Sequence, residues 1–243
     1  MKKQQKYEFI GKCLYFPLEK ILVIGDLHLG YDKKLEEQGL QFPLNQLEIT
    51  INELKETFGY LRLSGKKIVK IIFLGDIKHY FRYKKEEKME IYDLLRFLRK
   101  YFKDKDIIFI KGNHDKINIG KKFKDFYVEN DIIFLHGHKE FKEISDKKIK
   151  LIVMSHDHPA VFLQEKDGVK KEKYKCFLKG KLKKKDIIML PSFLPFVEGG
   201  DFREYHKEFS IIPKKKLNDF EVFVVSENLG EEALSFGKLR GFD

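Results

Sequence analysis

The chain begins with short apolar runs separated by Gly, Asp and Lys, and their lengths predict strands. Tyr7–Ile10, Cys13–Phe16 and Lys20–Ile24 read this way, the last running into Gly25. The period then changes. Leu47, Ile51, Leu54, Phe58 and Leu61 recur at alternating spacings of four and three, which is one face of a helix, and Ser64-Gly65 supplies its stop. A β-branched run at Lys67–Leu74 predicts a buried strand. Ile91, Leu94, Leu95, Leu98 and Phe102 mark a second helix, followed by a strand at Ile107–Ile110. Further strands are expected at Phe126–Val128, Ile132–Leu135, Leu151–Met154, Cys176–Leu178, Ile187–Leu190 and Glu221–Val225. Ser235 to Gly241 is expected as a tail packing on the sheets, and no chemistry is legible in residues 201–243. Strand–helix–strand units followed by consecutive strands predict a layered α/β fold with two packed sheets. No internal repeat and no Pro/Gly/Ser linker interrupts the 243 residues, so a single domain is expected over 1–243.

Composition narrows the class. A hydrophobic content of 42% excludes a disordered chain despite 36% charged residues. No apolar run approaches the roughly 18 residues that would span a membrane. Two cysteines, Cys13 and Cys176, cannot build a disulfide framework. With no disulfide framework a cytoplasmic protein is expected, and no signal-peptide core is seen after the basic start. The 49 basic and 38 acidic residues leave a net charge of +11. Of the basic residues, 43 are Lys and 6 are Arg, a bias that an AT-rich genome or heat adaptation produces as readily as a polyanionic partner does. Ten of the Lys lie within residues 166–185, which read as an exposed hairpin or loop rather than core.

The histidines carry the chemistry. Of the eight, seven follow an expected strand or sit at a turn; the eighth, His206, lies among Arg203, Glu204, Lys207 and Glu208 and reads as solvated. Ile21–Ile24 leads into Gly25-Asp26-Leu27-His28, where a carboxylate and an imidazole two residues apart can chelate one ion. Ile71–Leu74 leads into Gly75-Asp76, whose two oxygens can bridge two ions. Ile107–Ile110 leads into Gly112-Asn113-His114-Asp115, in which the Asn113 amide oxygen is a hard neutral ligand and His114 has a different task. Ile132–Leu135 leads into His136-Gly137-His138, and Leu151–Met154 into Ser155-His156-Asp157-His158. Imidazoles at i and i+2 on an extended segment face opposite ways, so His156 and His158 can serve together only across a turn or a pair of ions. Asp157 between them is expected to point away, while His79 and His138 are candidates for substrate or outer-shell contacts. Ligand sites in open α/β sheets lie beyond the carboxyl ends of strands, where all five groups fall.

The series Asp26-x-His28, Gly75-Asp76, Gly112-Asn113-His114-Asp115, His136 and His156-x-His158 resembles the calcineurin-like metallophosphoesterase superfamily over about half the chain. Asp26-Leu27-His28-Leu29-Gly30-Tyr31, Gly39 to Pro43, His158-Pro159-Ala160 and Pro191-Ser192-Phe193 resemble its ICC-like branch, phosphoesterases associated with DNA repair and DNA ligase. The resemblance implies a four-layer αββα sandwich. It implies one divalent ion held by Asp26, His28, Asp76 and His158, and a second by Asp76, Asn113, His136 and His156. His114 would face the leaving group as general acid, with Asp115 orienting its ring. Two departures stand out: Ser155 replaces a Gly common in relatives, and His79 stands where several carry Asp.

The implied activity is hydrolysis of phosphodiesters by a hydroxide that two metals activate, with DNA as the substrate. A ligand set of Asp, Asn and His without Cys suits Mn²⁺, Fe²⁺, Ni²⁺ or Zn²⁺, and Mn²⁺ is the expected metal. A DNA-repair helicase or ligase and a second copy of the chain, as a homodimer, are the candidate protein partners. Two other readings stand beside the nuclease: a phosphatase or phosphodiesterase for small nucleotides, and a non-catalytic interaction scaffold.

Overall fold

A computed structural model describes residues 6–40, 45–81, 85–116, 122–164, 171–201, 210–226 and 228–242. Two sheets stack face to face. The first is built from β1 (Glu8–Ile10), β2 (Cys13–Phe16), β3 (Ile21–Ile24), β4 (Lys70–Phe73) and β5 (Ile107–Phe109), in that spatial order. β1 to β3 pair antiparallel, and β3 to β5 pair parallel. Their crossovers carry α1 (Tyr31–Glu37), α2 (Gln46–Leu63) and α3 (Lys85–Leu98). The Asn45 side chain caps α2 by accepting from the Glu48 N–H at 3.1 Å, and Gly65 ends it in the left-handed region at φ 70°.

The second sheet contains β6 (Phe126–Glu129), β7 (Ile132–Leu135), β8 (Leu151–Met154), β9 (Pro159–Gln164), β10 (Lys171–Leu182), β11 (Lys185–Met189) and β12 (Gly200–Asp201), in the order β12-β9-β10-β11-β8-β7-β6. β7, β8 and β11 run parallel. After α4 (Lys214–Leu217), β13 (Glu221–Val224) pairs with β10, and β14 (Leu234–Lys238) pairs with β13.

Three apolar layers follow from strands that bury both faces. Leu14, Val23, Ile72 and Ile108 meet Phe134, Val153, Phe177 and Ile188 between the sheets. The alternate residues Leu22, Ile24, Ile71 and Phe73 pack under Leu54, Phe58 and Leu61 of α2 and Leu94 and Leu98 of α3. Ile133, Ile152, Leu178 and Ile187 form the opposite outer face, beneath Ile144, Leu217 and Phe220. This is the expected α/β sandwich of two sheets with helices outside. Its second helical layer is thin among the described residues: α4 and 3₁₀ turns at Lys142–Ser145 and Leu239–Gly241.

Two expectations change. Part of the Lys-rich stretch is the long strand β10, with Cys176, Phe177 and Leu178 fully buried, so it is not simply an exposed loop. The hairpin of that expectation is present, with β10 turning through Lys183–Lys184 into antiparallel β11, and residues 165–170 lie outside the described residues. The expected tail is in part an edge strand, β14, exposed along its whole length. Cys13 and Cys176 are free and buried. Among the described residues no helix is long and apolar enough to cross a membrane.

Candidate metal centre

The parallel strands β3, β4, β5, β7 and β8 end at one edge of the sandwich, and their trailing turns interlock. The His28 N–H donates to the Asp76 carbonyl at 2.8 Å, and the Ser155 N–H to the His136 carbonyl at 3.0 Å. Gln46, at the start of α2, ties the first turn down: its Nε2 donates to the Leu27 and His28 carbonyls at 2.9 and 3.0 Å. Gly75 sits at φ 111°, where a Cβ would stand 2.7 Å from His136 Nδ1 and 2.8 Å from the Gly112 nitrogen. Four expected ligands occupy the left-handed region themselves: His28 (φ 48°), Asp76 (45°), His156 (74°) and His158 (49°). Each such residue costs about 1–2 kcal/mol, strain that clusters at functional sites. The left-handed residues His156 and His158 also answer the i, i+2 problem: the chain turns at each, so both face the same edge and enter neighbouring groups.

The side chains converge accordingly. Asp26, His28 and His158 form one group with ligand atoms within 4.8 Å of one another; Asp76, His136 and His156 form a second; and His28, Asp76 and His114 a third. His158 Nε2 lies 2.5 Å from Asp26 Oδ2, and His136 Nε2 lies 3.4 Å from Asp76 Oδ2 and 3.1 Å from Asn113 Oδ1. Asp76 belongs to two of the three groups, beside His28 and His114 in one and beside His136 and His156 in the other.

The donor set fits divalent ions. Ring nitrogens face one another, His28 Nε2 with His158 Nε2 at 3.3 Å and His156 Nδ1 with His136 Nε2 at 3.0 Å. Asp76 Oδ2 is buried without a hydrogen bond, amid three imidazole nitrogens at 3.4–3.9 Å. Lone pairs crowded around a buried carboxylate are what a shared cation relieves. Electrostatics follow the same packing. Burial alone would raise the Asp26 carboxyl, but His136 and His158 beside it carry it well below the usual carboxylate range. Burial, with His158 beside it, holds the His28 imidazole well below its ordinary value, in the neutral form that ligates.

The remaining candidates fall around this cluster. The His114 N–H donates to Asp76 Oδ1 at 2.9 Å, and its Nε2 end lies 3.9 Å from Asp76 Oδ2. Asp115 does not orient that ring. Its carboxylate is captured by three backbone donors, Gly112 N–H at 2.9 Å, Ile77 N–H at 3.1 Å and Lys78 N–H at 3.4 Å, so it joins two turns instead. The His79 carbonyl meets His114 Nδ1. The ring of His79 stands 5.4 Å from that of His28, and His138 lies 5.1 Å from His136 and 6.0 Å from His156. Asp157 turns away, accepting from Ser210 Oγ at 2.6 Å. His206 lies outside the described residues.

Sequence reading missed four contributors. Ser155 Oγ donates to Asp26 Oδ1 at 2.7 Å. Gln46 holds the first turn, and Glu87 Oε1 accepts from the N–H groups of His79 and Tyr80 at 2.9 and 2.7 Å. Phe81 stacks on His114 with ring centroids 3.9 Å apart. Only Ser155 had a local signal, its place beside the His-x-His pair.

Paired Asp/His groups at the ends of parallel strands from two stacked sheets form a site that could hold divalent ions. The calcineurin-like phosphoesterase family model matches residues 19–210, and the chain belongs to that family, whose members use divalent metals. Among solved structures, Pseudomonas putida nuclease MPE is similar to it at 17% identity, with 88% of each chain covered and a TM-score of 0.56. Vps29 complexed with zinc from Entamoeba histolytica is more distant, at 15% identity, 89% of this chain and 99% of that one, and a TM-score of 0.38. Vacuolar protein sorting 29 from Cryptosporidium parvum gives 15% identity, coverages of 95% and 100%, and a TM-score of 0.37. No curated protein matches the chain.

Proposed function

We propose that the chain is a two-metal phosphodiesterase acting on DNA, of the ICC-like kind linked to DNA repair. The observation that carries the reading is the convergence of Asp26, His28, Asp76, Asn113, His136, His156 and His158 from five strand ends. Asp26, His28, Asp76 and His158 would hold one ion, and Asp76, Asn113, His136 and His156 the other. Bound there, divalent ions supply Lewis-acid polarisation of the phosphoryl oxygens and acidify the attacking water. A shell of carboxylate, amide and imidazole suits Mn²⁺, with Fe²⁺, Ni²⁺ and Zn²⁺ as alternatives.

His114 is the proton donor in this reading. The His79 carbonyl engages Nδ1, so Nδ1 keeps its hydrogen and Nε2 is left to hold and deliver a proton. That end of the ring faces the Asp76 carboxylate, where the phosphate would sit, within reach of a departing alkoxide.

Three features favour a polymeric substrate. The net charge is +11. β9 leaves directly from His158, and Lys171 and Lys173 of β10 place their ammonium groups 4.4 and 4.8 Å from the Phe162 ring centroid on β9. The similar Pseudomonas protein is described as a nuclease. With 6 Arg in the chain, bidentate base readout has few carriers, so binding should be sequence-tolerant and strongly salt-dependent. A cytoplasmic location and a DNA-repair helicase or ligase as partner belong to the same reading.

The test is a cleavage assay with Mn²⁺ on single-stranded and duplex DNA, beside bis-p-nitrophenyl phosphate and p-nitrophenyl phosphate, with Asn113→Ala as control. Cleavage of DNA and of the diester over the monoester, both lost in the variant, is expected. Diester hydrolysis without DNA cleavage would transfer the reading to small nucleotides, and monoester preference would overturn it.

A further inference from the structure

Phe81 follows Asp76 and His79 on the segment after β4, and half of it is exposed (50%). Tyr92, Tyr101 and Phe236 are the other described aromatic side chains exposed to a comparable degree, and none of their described ring contacts reaches a histidine of the centre. Phe81 differs. Its ring lies nearly parallel to that of His114, 27° apart, with centroids at 3.9 Å. His114 stands 5.0 Å edge-on to His28, so rings run without a break from a ligand position, through the proton donor, to a half-solvated phenyl group. Lys116, two residues beyond His114, holds its ammonium 5.2 Å from the Phe81 ring centroid. A half-exposed ring with an ammonium group on a flexible side chain over it supplies the two groups that grip single-stranded nucleic acid, the ring taking a base as the cation moves to the backbone.

We propose that Phe81 and Lys116 form a stacking subsite for the nucleobase on the leaving-group side of the cleaved phosphodiester. The inference rests on the phosphodiesterase reading, and it assigns a substrate class to one side of that site. A group leaving beside His114 takes its proton from Nε2, and the nucleoside attached to it emerges next to the ring stacked on that imidazole. Phe81 offers apolar π-surface and no hydrogen bond, so the subsite favours a base over no base and tolerates every base. Lys116 neutralises the phosphate that follows.

The alternative is that Phe81 only steadies His114, and the two roles separate kinetically. A stacking subsite acts through KM and needs a base; a brace for the proton donor acts through kcat on every substrate. The probes are a ten-nucleotide deoxythymidine strand and a strand of equal length made of abasic tetrahydrofuran units, both cleaved by the Mn²⁺-loaded protein. The wild type should show a KM about tenfold lower for the thymidine strand, the lower part of the range for base–aromatic stacking. Phe81→Leu, which keeps apolar bulk against His114, should bring the two KM values together, with any change in kcat the same on both strands. Phe81→Trp should retain the preference. The same order should appear without turnover, as loss of thymidine-strand binding by Phe81→Leu in fluorescence polarisation with EDTA. A base preference that survives in Phe81→Leu, or a kcat loss equal on both strands with KM unchanged, would overturn the subsite and leave the diesterase reading intact. Hydrolysis of bis-p-nitrophenyl phosphate with neither strand cleaved would overturn the nucleic-acid reading and the subsite with it.

Discussion

Ser155 gives the sharpest handle on the centre, because one atom can be removed from it without touching a ligand. The hydroxyl is fully buried and donates to Asp26 Oδ1 at 2.7 Å. Asp26 keeps three other contacts when the hydroxyl is lost: His156 N–H at 3.0 Å and His158 Nε2 at 2.5 Å on Oδ2, and His136 Nδ1 at 3.3 Å from Oδ1. A hydrogen bond to a charged group contributes about 1.5–3 kcal/mol, and the remaining contacts place Ser155→Ala near the low end, ~1.5 kcal/mol. For a chain of this size that is a fall in Tm of roughly 3–6 °C, read by thermal unfolding in EDTA. With metal present, the hydroxyl fixes the direction of a carboxylate ligand, and losing such a partner costs about 10–100-fold in metal affinity, read by Mn²⁺ titration calorimetry. Ser155→Gly should be worse than Ser155→Ala by about 0.5–1 kcal/mol of backbone freedom. If Ser155→Ala left both Tm and Mn²⁺ affinity at wild-type values, the hydroxyl would have no part in holding Asp26.

Three other outcomes follow from the same geometry. His114→Ala should keep its metals and lose about 10²–10⁴ in turnover of bis-p-nitrophenyl phosphate; full activity would remove the proton-donor role. Replacing Lys171 and Lys173 by Gln should lower the slope of log affinity for DNA against log salt by about 2 and leave small-diester hydrolysis unchanged, whereas equal loss of both activities would mean that these residues support folding. Lys175 lines a cavity of about 670 Å³ outside the metal cluster, with Lys12, Glu53 and Glu198 in the same wall, and its Nζ donates to Ser192 O, Ser192 Oγ and Leu194 O at 2.9, 3.0 and 2.5 Å. Burial pushes its amine well below the usual lysine range; Lys12 adds to the shift, and Glu53, Glu198 and Asp26 oppose it. Between that lowered value and about 10.4 the unfolded chain binds more protons than the folded one, so this residue's contribution to stability improves as pH rises through the window. Urea midpoints at pH 7 and 9.5 should therefore rise less in Lys175→Met than in the wild type, and identical pH dependence would refute the assignment.

How much of this was legible in the sequence depends on the distance over which each signal acts. β2, β7 and β8 match their expected limits because an apolar run between polar residues or proline is a local pattern, and after β7 and β8 a histidine follows within two residues. β9, though apolar, was missed because it starts at a proline directly after His158, and the first half of β10 was missed because Lys-Glu-Lys-Tyr-Lys reads as solvated. Those residues are a strand because β9 pairs beside them, with Tyr174 opposite Val161. β14 has no buried residue and therefore no period to detect. The role expected for Asp115 failed for a related reason. Adjacency to His114 suggested a contact, but the carboxylate is taken by N–H groups 37 and 38 residues away in sequence. Ser155 and Gln46 act across 129 and 19 residues, and only the assembled turns show what they hold.

The central claim is that one buried carboxylate, Asp76, organises two metal sites. Counting Mn²⁺ per chain by elemental analysis after gel filtration, in the wild type and in Asp76→Ala, tests it most directly. Two ions per wild-type chain, with both sites emptied in Asp76→Ala while the variant keeps its native circular dichroism, is the predicted result. A wild type that holds one ion or none, or an Asp76→Ala variant that still holds two, would contradict it.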